Sequence, residues 1–144
     1  MTAPVDAALD AELVARTRLA VLRLSRRLRQ EVTPGITPSQ QSALAAIEVR
    51  GPLTLGELAA FENVQPPSIS RIVANLEAAG LVERTTDADD RRVNLVRTTA
   101  KGRAELDQIR DQRNAWLAER LATLDDDERA RLAAALDVLD KLRG

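Results

Sequence analysis

The 144-residue chain contains no cysteine and no histidine. That excludes disulfides, thiol redox sensing, thiolate or imidazole metal ligation, and catalysis by Cys or His. Aromatics are nearly absent: Phe61 and Trp116 are the only two. A core must therefore be built from Leu, Val, Ile and Ala, which favours helices packed on helices over a β-sandwich. No run of about 18 apolar residues exists, so no stretch reads as a membrane-spanning helix. The first ten residues, M-T-A-P-V-D-A-A-L-D, lack the basic-then-apolar form of a secretory signal, and the reading is a cytoplasmic protein. Nor can a nucleophile–base pair, a metal cluster or a phosphate-cradling glycine loop be assembled. The acidic run Asp125-Asp126-Asp127-Glu128 reads as a helix N-terminal cap rather than a metal site. The sequence thus predicts neither an enzyme nor a bound cofactor or metal.

What is present describes a folded chain. It is 44% hydrophobic and 30% charged, a globular rather than a disordered balance. Its length suits one domain, or one subunit that completes its core by pairing. The net charge of −1 looks poor for binding nucleic acid, but the average hides a pattern. Residues 1–64 are neutral, with seven basic and seven acidic groups. Residues 65–103 carry seven basic against five acidic, and residues 104–144 seven against ten. The positive excess lies in the middle.

Periodicity predicts a long helix over about 6–31, with Leu9, Leu13, Val21, Leu24 and Leu28 at helical spacings. V-T-P-G-I (32–36) breaks it. Thr37-Pro38-Ser39-Gln40 has the form of a capping box with proline at the first helical position, and that helix ends near Arg50-Gly51-Pro52. Thr54-Leu55-Gly56-Glu57 repeats the box and opens a short helix to about Glu62. A third short helix places Ile69, Ile72, Val73 and Leu76 on one face and ends at Ala79-Gly80. L-V-E-R-T-T (81–86) and V-N-L-V-R-T (93–98) read as strands of a hairpin around the polar turn D-A-D-D-R-R (87–92). Thr99 caps a helix over about 100–123, with Leu106, Ile109, Trp116, Leu117 and Leu121 as its stripe. Asp125 and Glu128 open a last helix carrying Leu132, Leu136, Leu139 and Leu142. The predicted fold is mostly α with a small β-hairpin: a winged helix-turn-helix over 37–99, flanked by helices over 5–31 and 100–144.

Q-P-P-S-I-S-R (65–71) holds two prolines at a helix start. Proline is tolerated in the first turn, where its missing N–H has no intrahelical partner to lose. Pro67 fits there, while either Gln65 or Pro66 can be the cap, since a residue before proline is biased away from helical backbone. With Ile69, Ile72, Val73 and Leu76 turned inward, the outer face carries Pro67, Ser68, Arg71, Ala74, Asn75 and Ala78, with Ser70 at its edge. Such a face can approach the major groove: small residues permit close contact, and Arg and Asn present donors and acceptors to base edges. The positive end of the helix dipole favours a nearby phosphate. At the hairpin turn, Arg91 and Arg92 are candidates for the narrow, electronegative minor groove. Asp90 can hold an arginine there by a charge-assisted hydrogen bond.

L-T-L-G-E-L-A-A (53–60), P-P-S-I-S-R-I-V-A-N-L-E-A-A-G-L-V-E-R (66–84), D-A-D-D-R-R (87–92) and T-T-A-K-G (98–102) together resemble the MarR-type transcriptional regulators. The motif-bearing part runs from about 37 to 103. The resemblance implies a homodimer whose first and last two helices interleave across a two-fold axis, each subunit presenting one winged helix-turn-helix to half of a palindrome. By that resemblance Ser68, Ser70 and Arg71 match positions that contact bases and phosphates, Arg92 the wing arginine, and Asp90 the acid that orients it. The family's wing often has an arginine where this chain has Asp89, and Arg91 stands close by. The resemblance also implies a small anionic or aromatic effector between the dimerisation helices and the winged domain; by chemistry Trp116 can be a wall of such a pocket or part of the core.

The long aliphatic stripes of the terminal helices independently call for a partner surface. The expected function is a sequence-specific regulator of double-stranded DNA, acting as a repressor. The competing expectation is a helical protein-interaction module whose winged domain binds a protein.

Overall fold

A computed structural model describes residues 7–31 and 35–144. Residues 1–6, including the start of the 5–31 segment, and 32–34 of the V-T-P-G-I break lie outside the described residues. The order of elements is α1 (Ala7–Gln30), α2 (Pro38–Arg50), α3 (Leu55–Glu62), α4 (Pro66–Ala78), β1 (Val82–Thr86), β2 (Asn94–Thr98), α5 (Ala100–Leu121) and α6 (Asp126–Leu142). This is the expected succession of a long helix, three short helices, a hairpin and two long helices. No helix among the described residues is long and apolar enough to cross a membrane.

The helix starts follow from local chemistry. In α2, α3 and α6 the side chains of Thr37, Thr54 and Asp125 accept from the amides of Gln40, Glu57 and Glu128. The side chains of Gln40, Glu57 and Glu128 in turn accept from the amides of Thr37, Thr54 and Asp125, completing three capping boxes. Asn63 closes α3 with φ +53, in the left-handed region that Asn tolerates better than most residues. Its amide donates to Ala60 O and that of Val64 to Ala59 O, so the chain reverses within three residues before α4. Gly80, with φ +74, ends α4 as expected.

The described residues form two compact units. One takes in α1, α6 and the part of α5 from Gln112 onward; the other ends at Asp111 and holds α2 to α4, the hairpin and the start of α5. The core of the second unit is wholly aliphatic, with Leu44, Ile47, Leu58, Ile69, Val73, Leu76, Val82 and Val96 closed to solvent. Ile72, expected on the core face, is only half-buried at its margin. The hairpin is antiparallel, pairing Val82 with Thr98 and Thr86 with Asn94. Leu53 exchanges both backbone hydrogen bonds with Val96 (3.2 and 2.8 Å), adding a one-residue third strand that pins the segment before α3 to the hairpin. Phe61 remains outside the core, stacked under the Arg50 guanidinium at 3.8 Å from the ring centroid.

In the first unit the apolar stripes stay largely uncovered. Leu13, Val14, Val21, Leu22 and Leu24 of α1 are exposed, as are Leu132, Leu136, Leu139 and Leu142 of α6. Trp116 is half-buried, with the Arg120 and Arg27 guanidinium carbons 4.6 and 5.7 Å from its ring centroid.

Candidate nucleic-acid interface

The cap left open by the sequence is Gln65. Its backbone is extended (φ −63, ψ 140), and Pro66 and Pro67 occupy the first two helical positions. The bias against helical backbone before a proline is overcome at Pro66, because the Gln65 carbonyl accepts from both Ser68 N (3.0 Å) and Ile69 N (3.1 Å). The two prolines have no N–H to offer, and the next two amides already donate to Gln65. The start of α4 keeps its positive dipole end but has little backbone N–H to give a phosphate, unlike an ordinary helix N-terminus. The polar groups exposed at this end are side chains: the hydroxyls of Ser68 and Ser70 and the guanidinium of Arg71.

These residues are where the periodicity places them. Ile69, Val73 and Leu76 are fully buried, and their burial turns Pro67, Ser68, Ser70, Arg71, Ala74, Asn75 and Ala78 to solvent. Arg71 has no hydrogen-bond or ion-pair partner among the described residues.

At the wing tip, Asp87 N bonds to Val93 O (2.9 Å) and Val93 N to Asp90 O (3.0 Å), closing the loop. The Asp87 carboxylate accepts from Asp89 N at 2.9 Å, an Asx-type turn that gives Asp89 a place in the loop backbone. Asp90 accepts three bonds from Arg92: from the amide (3.0 Å), from Nε (3.1 Å) and from Nη2 (3.3 Å). The side-chain bond first, then the backbone bond, holds the Asp90 carboxyl below its ordinary value of 3.8. The Arg92 side chain is 91% exposed, so Asp90 fixes the pose of an arginine that otherwise stands in solvent. Arg91 is exposed beside Thr86, Asp87 and Ala88 and has no such anchor among the described residues.

The outer face of α4 and the wing tip belong to one unit but are not bonded directly to each other among the described residues. They are related through Glu77, near the end of α4, whose Oε2 accepts from Arg84 Nε of β1 at 2.8 Å. Arg97 of β2 is neutralised by Glu83 across the strands at 2.6 Å. Sequence reasoning missed both pairs. The register places Glu83 opposite Arg97, so that pair was readable from correct strand ends. The Glu77–Arg84 pair needs the angle between helix and strand.

The pattern of the MarR family matches residues 36–93, the segment from α2 to the wing tip. An HTH-type transcriptional regulator of Mycobacterium tuberculosis is 41% identical over 131 residues, spanning 90% of this chain and 92% of the relative. The chain belongs to the MarR family. The HTH-type transcriptional repressor MdtR of Bacillus subtilis is 27% identical over 127 residues, covering 85% and 82% of the two chains. Among solved structures, one from Pseudomonas aeruginosa described as a putative transcriptional regulator protein aligns with a TM-score of 0.82 at 36% identity, covering 97% of this chain and 98% of that one. This MarR-family chain is thus a DNA-binding transcriptional regulator with a winged helix-turn-helix fold, and not an enzyme.

Proposed function

We propose that this chain is a repressor that binds a palindromic promoter site as a homodimer. The observation that carries the reading is the outer face of α4: small, polar, exposed throughout, and bearing one unpaired arginine. On this reading Pro67 and Ser68 let the helix approach the groove. Ser68 and Ser70 contact phosphate or base through their hydroxyls, and Arg71 and Asn75 read base edges. The wing places Arg92, oriented by Asp90, in the adjacent minor groove, with Arg91 on the flanking phosphates. The name of the Bacillus subtilis relative supports repression over activation.

The exposed stripes of α1 and α6 support the dimer. So does their charge: α1 carries six arginines against two acids, and α6 five acids against three bases. Two such helices from different copies are complementary in both apolar surface and sign. A two-fold dimer sets two half-sites roughly 10 base pairs apart. Family membership further supports release by a small anionic or aromatic effector that binds the two spacings of the recognition helices unequally. Cysteine oxidation cannot be the trigger, since the chain has no cysteine. On this reading the protein works in the cytoplasm.

Selection of bound duplexes from a random pool tests the reading. The expected result is a palindrome with two half-sites one helical turn apart. Failure to enrich any sequence would overturn it in favour of a protein-binding winged module.

A further inference from the structure

T-T-A-K-G (98–102) is a motif of the winged unit with no hydrogen bond to the outer face of α4 or to the wing tip among the described residues. The structure shows what it does touch. Thr99 Oγ1 donates to Gly80 O at 2.6 Å and accepts from Gly102 N at 3.1 Å, so one hydroxyl both caps α5 and holds the turn that ends α4. The Thr99 amide donates to Leu81 O at 3.0 Å. Lys101 Nζ donates to Ala79 O at 2.8 Å, placing a cation on the negative end of the α4 dipole. Gly102 is buried, and a Cβ there would overlap the Leu81 carbonyl and stand 2.7 Å from Thr98 Cγ2. Only glycine lets α5 begin so close to the turn after α4.

Three consecutive carbonyls at the end of α4, those of Ala79, Gly80 and Leu81, are thus each held by the first turn of α5 or its cap. None of these bonds serves the aliphatic core, and α5 itself continues past the limit of this unit at Asp111. Resting on the DNA-binding reading above, we propose that Thr99, Lys101 and Gly102 are positioning residues that lock the recognition helix to α5. DNA affinity then depends on a joint that does not touch DNA. A rigid joint makes the direction of α5 and the direction of α4 one variable; a loosened joint leaves α4 folded but misaimed.

The test uses the full-length protein and the duplex selected for the wild type. Lys101→Met keeps the stem and removes the donor; Lys101→Arg restores a cationic donor; Gly102→Ala closes the space without changing charge. The joint predicts that Lys101→Met and Gly102→Ala weaken operator binding on the order of tenfold. Binding to unrelated duplex is unchanged, and Lys101→Arg recovers most of the loss. The slope of log affinity against log salt stays at the wild-type value for both weakened variants, because no phosphate contact is lost. A Lys101→Met slope reduced by about one phosphate per subunit would overturn the proposal, making Lys101 a direct backbone contact. Unchanged operator affinity in folded Lys101→Met would overturn it as well. Should Gly102→Ala fail to fold, the lysine pair decides alone. A wild type that binds no duplex would instead sink the DNA-binding reading itself, a separate outcome.

Discussion

Replacing Arg71 by alanine separates reading of DNA from folding. Arg71 lies on the solvent side of α4 and makes no hydrogen bond or ion pair among the described residues, so its loss leaves nothing unsatisfied. Arginine and alanine are both good helix formers, and exposed substitutions of this kind stay within about 0.5 kcal/mol of neutral. The melting temperature of Arg71→Ala should therefore match the wild type. Its effect on DNA is far larger. A base-reading arginine contributes about 1–3 kcal/mol. A two-fold dimer loses it at both half-sites, and well-separated losses add, giving about 2–6 kcal/mol on the whole operator. Even the lower bound is roughly a thirtyfold rise in Kd. Fluorescence anisotropy on the selected duplex, repeated on duplexes altered one position at a time, gives both affinity and specificity. The expected signature is weaker binding together with lost discrimination at one symmetric pair of base positions. An unchanged Kd in a folded dimer would refute the assignment of this face to the major groove. A uniform loss over all sequences with a flatter salt dependence would reduce Arg71 to a phosphate contact.

Three further outcomes are expected. The Asp90 carboxyl, followed by NMR, titrates below 3.8 in the wild type and returns toward that value in Arg92→Ala. Because its folded pKa is depressed, the wing contact is intact above 3.8 and lost only as pH falls through the folded value, so this group leaves DNA binding flat near neutral pH. Leu136→Asp places a charge on the uncovered stripe of α6, where Leu136 is 52% exposed in the isolated subunit. Sedimentation should show monomers and operator affinity should collapse, whereas an intact dimer would move the interface elsewhere. Thr98 is buried and its Oγ1 has no hydrogen-bond partner among the described residues. Thr98→Val should therefore stabilise the fold by about 1 kcal/mol in denaturant titration, and a loss of stability would show that the hydroxyl is paired in solution.

The sequence by itself determined the local structure of this protein. Capping boxes, proline at a helix start, a left-handed Asn or Gly and the spacing of aliphatic residues all act within a few residues, so Thr37, Thr54, Asp125 and Gly80 announce their elements without help from the fold. The near absence of aromatics likewise dictated an aliphatic core. Once Ile69, Val73 and Leu76 are inside, helical geometry alone turns Ser68, Arg71 and Asn75 outward. Resemblance to the family's motifs then supplied the proposed role of that face in reading DNA. Tertiary structure decided whatever depends on how separate elements pack against one another. The Leu53–Val96 bridge, the Glu77–Arg84 pair and the junction of Thr99, Lys101 and Gly102 with the end of α4 join segments whose separation has no period to detect. It also settled the cap of α4, where a steric bias at Pro66 competes with two hydrogen bonds to Gln65 and only the assembled backbone shows which wins. Periodicity reports which way a side chain faces; what it meets there is decided by the packing of elements brought together from elsewhere in the chain.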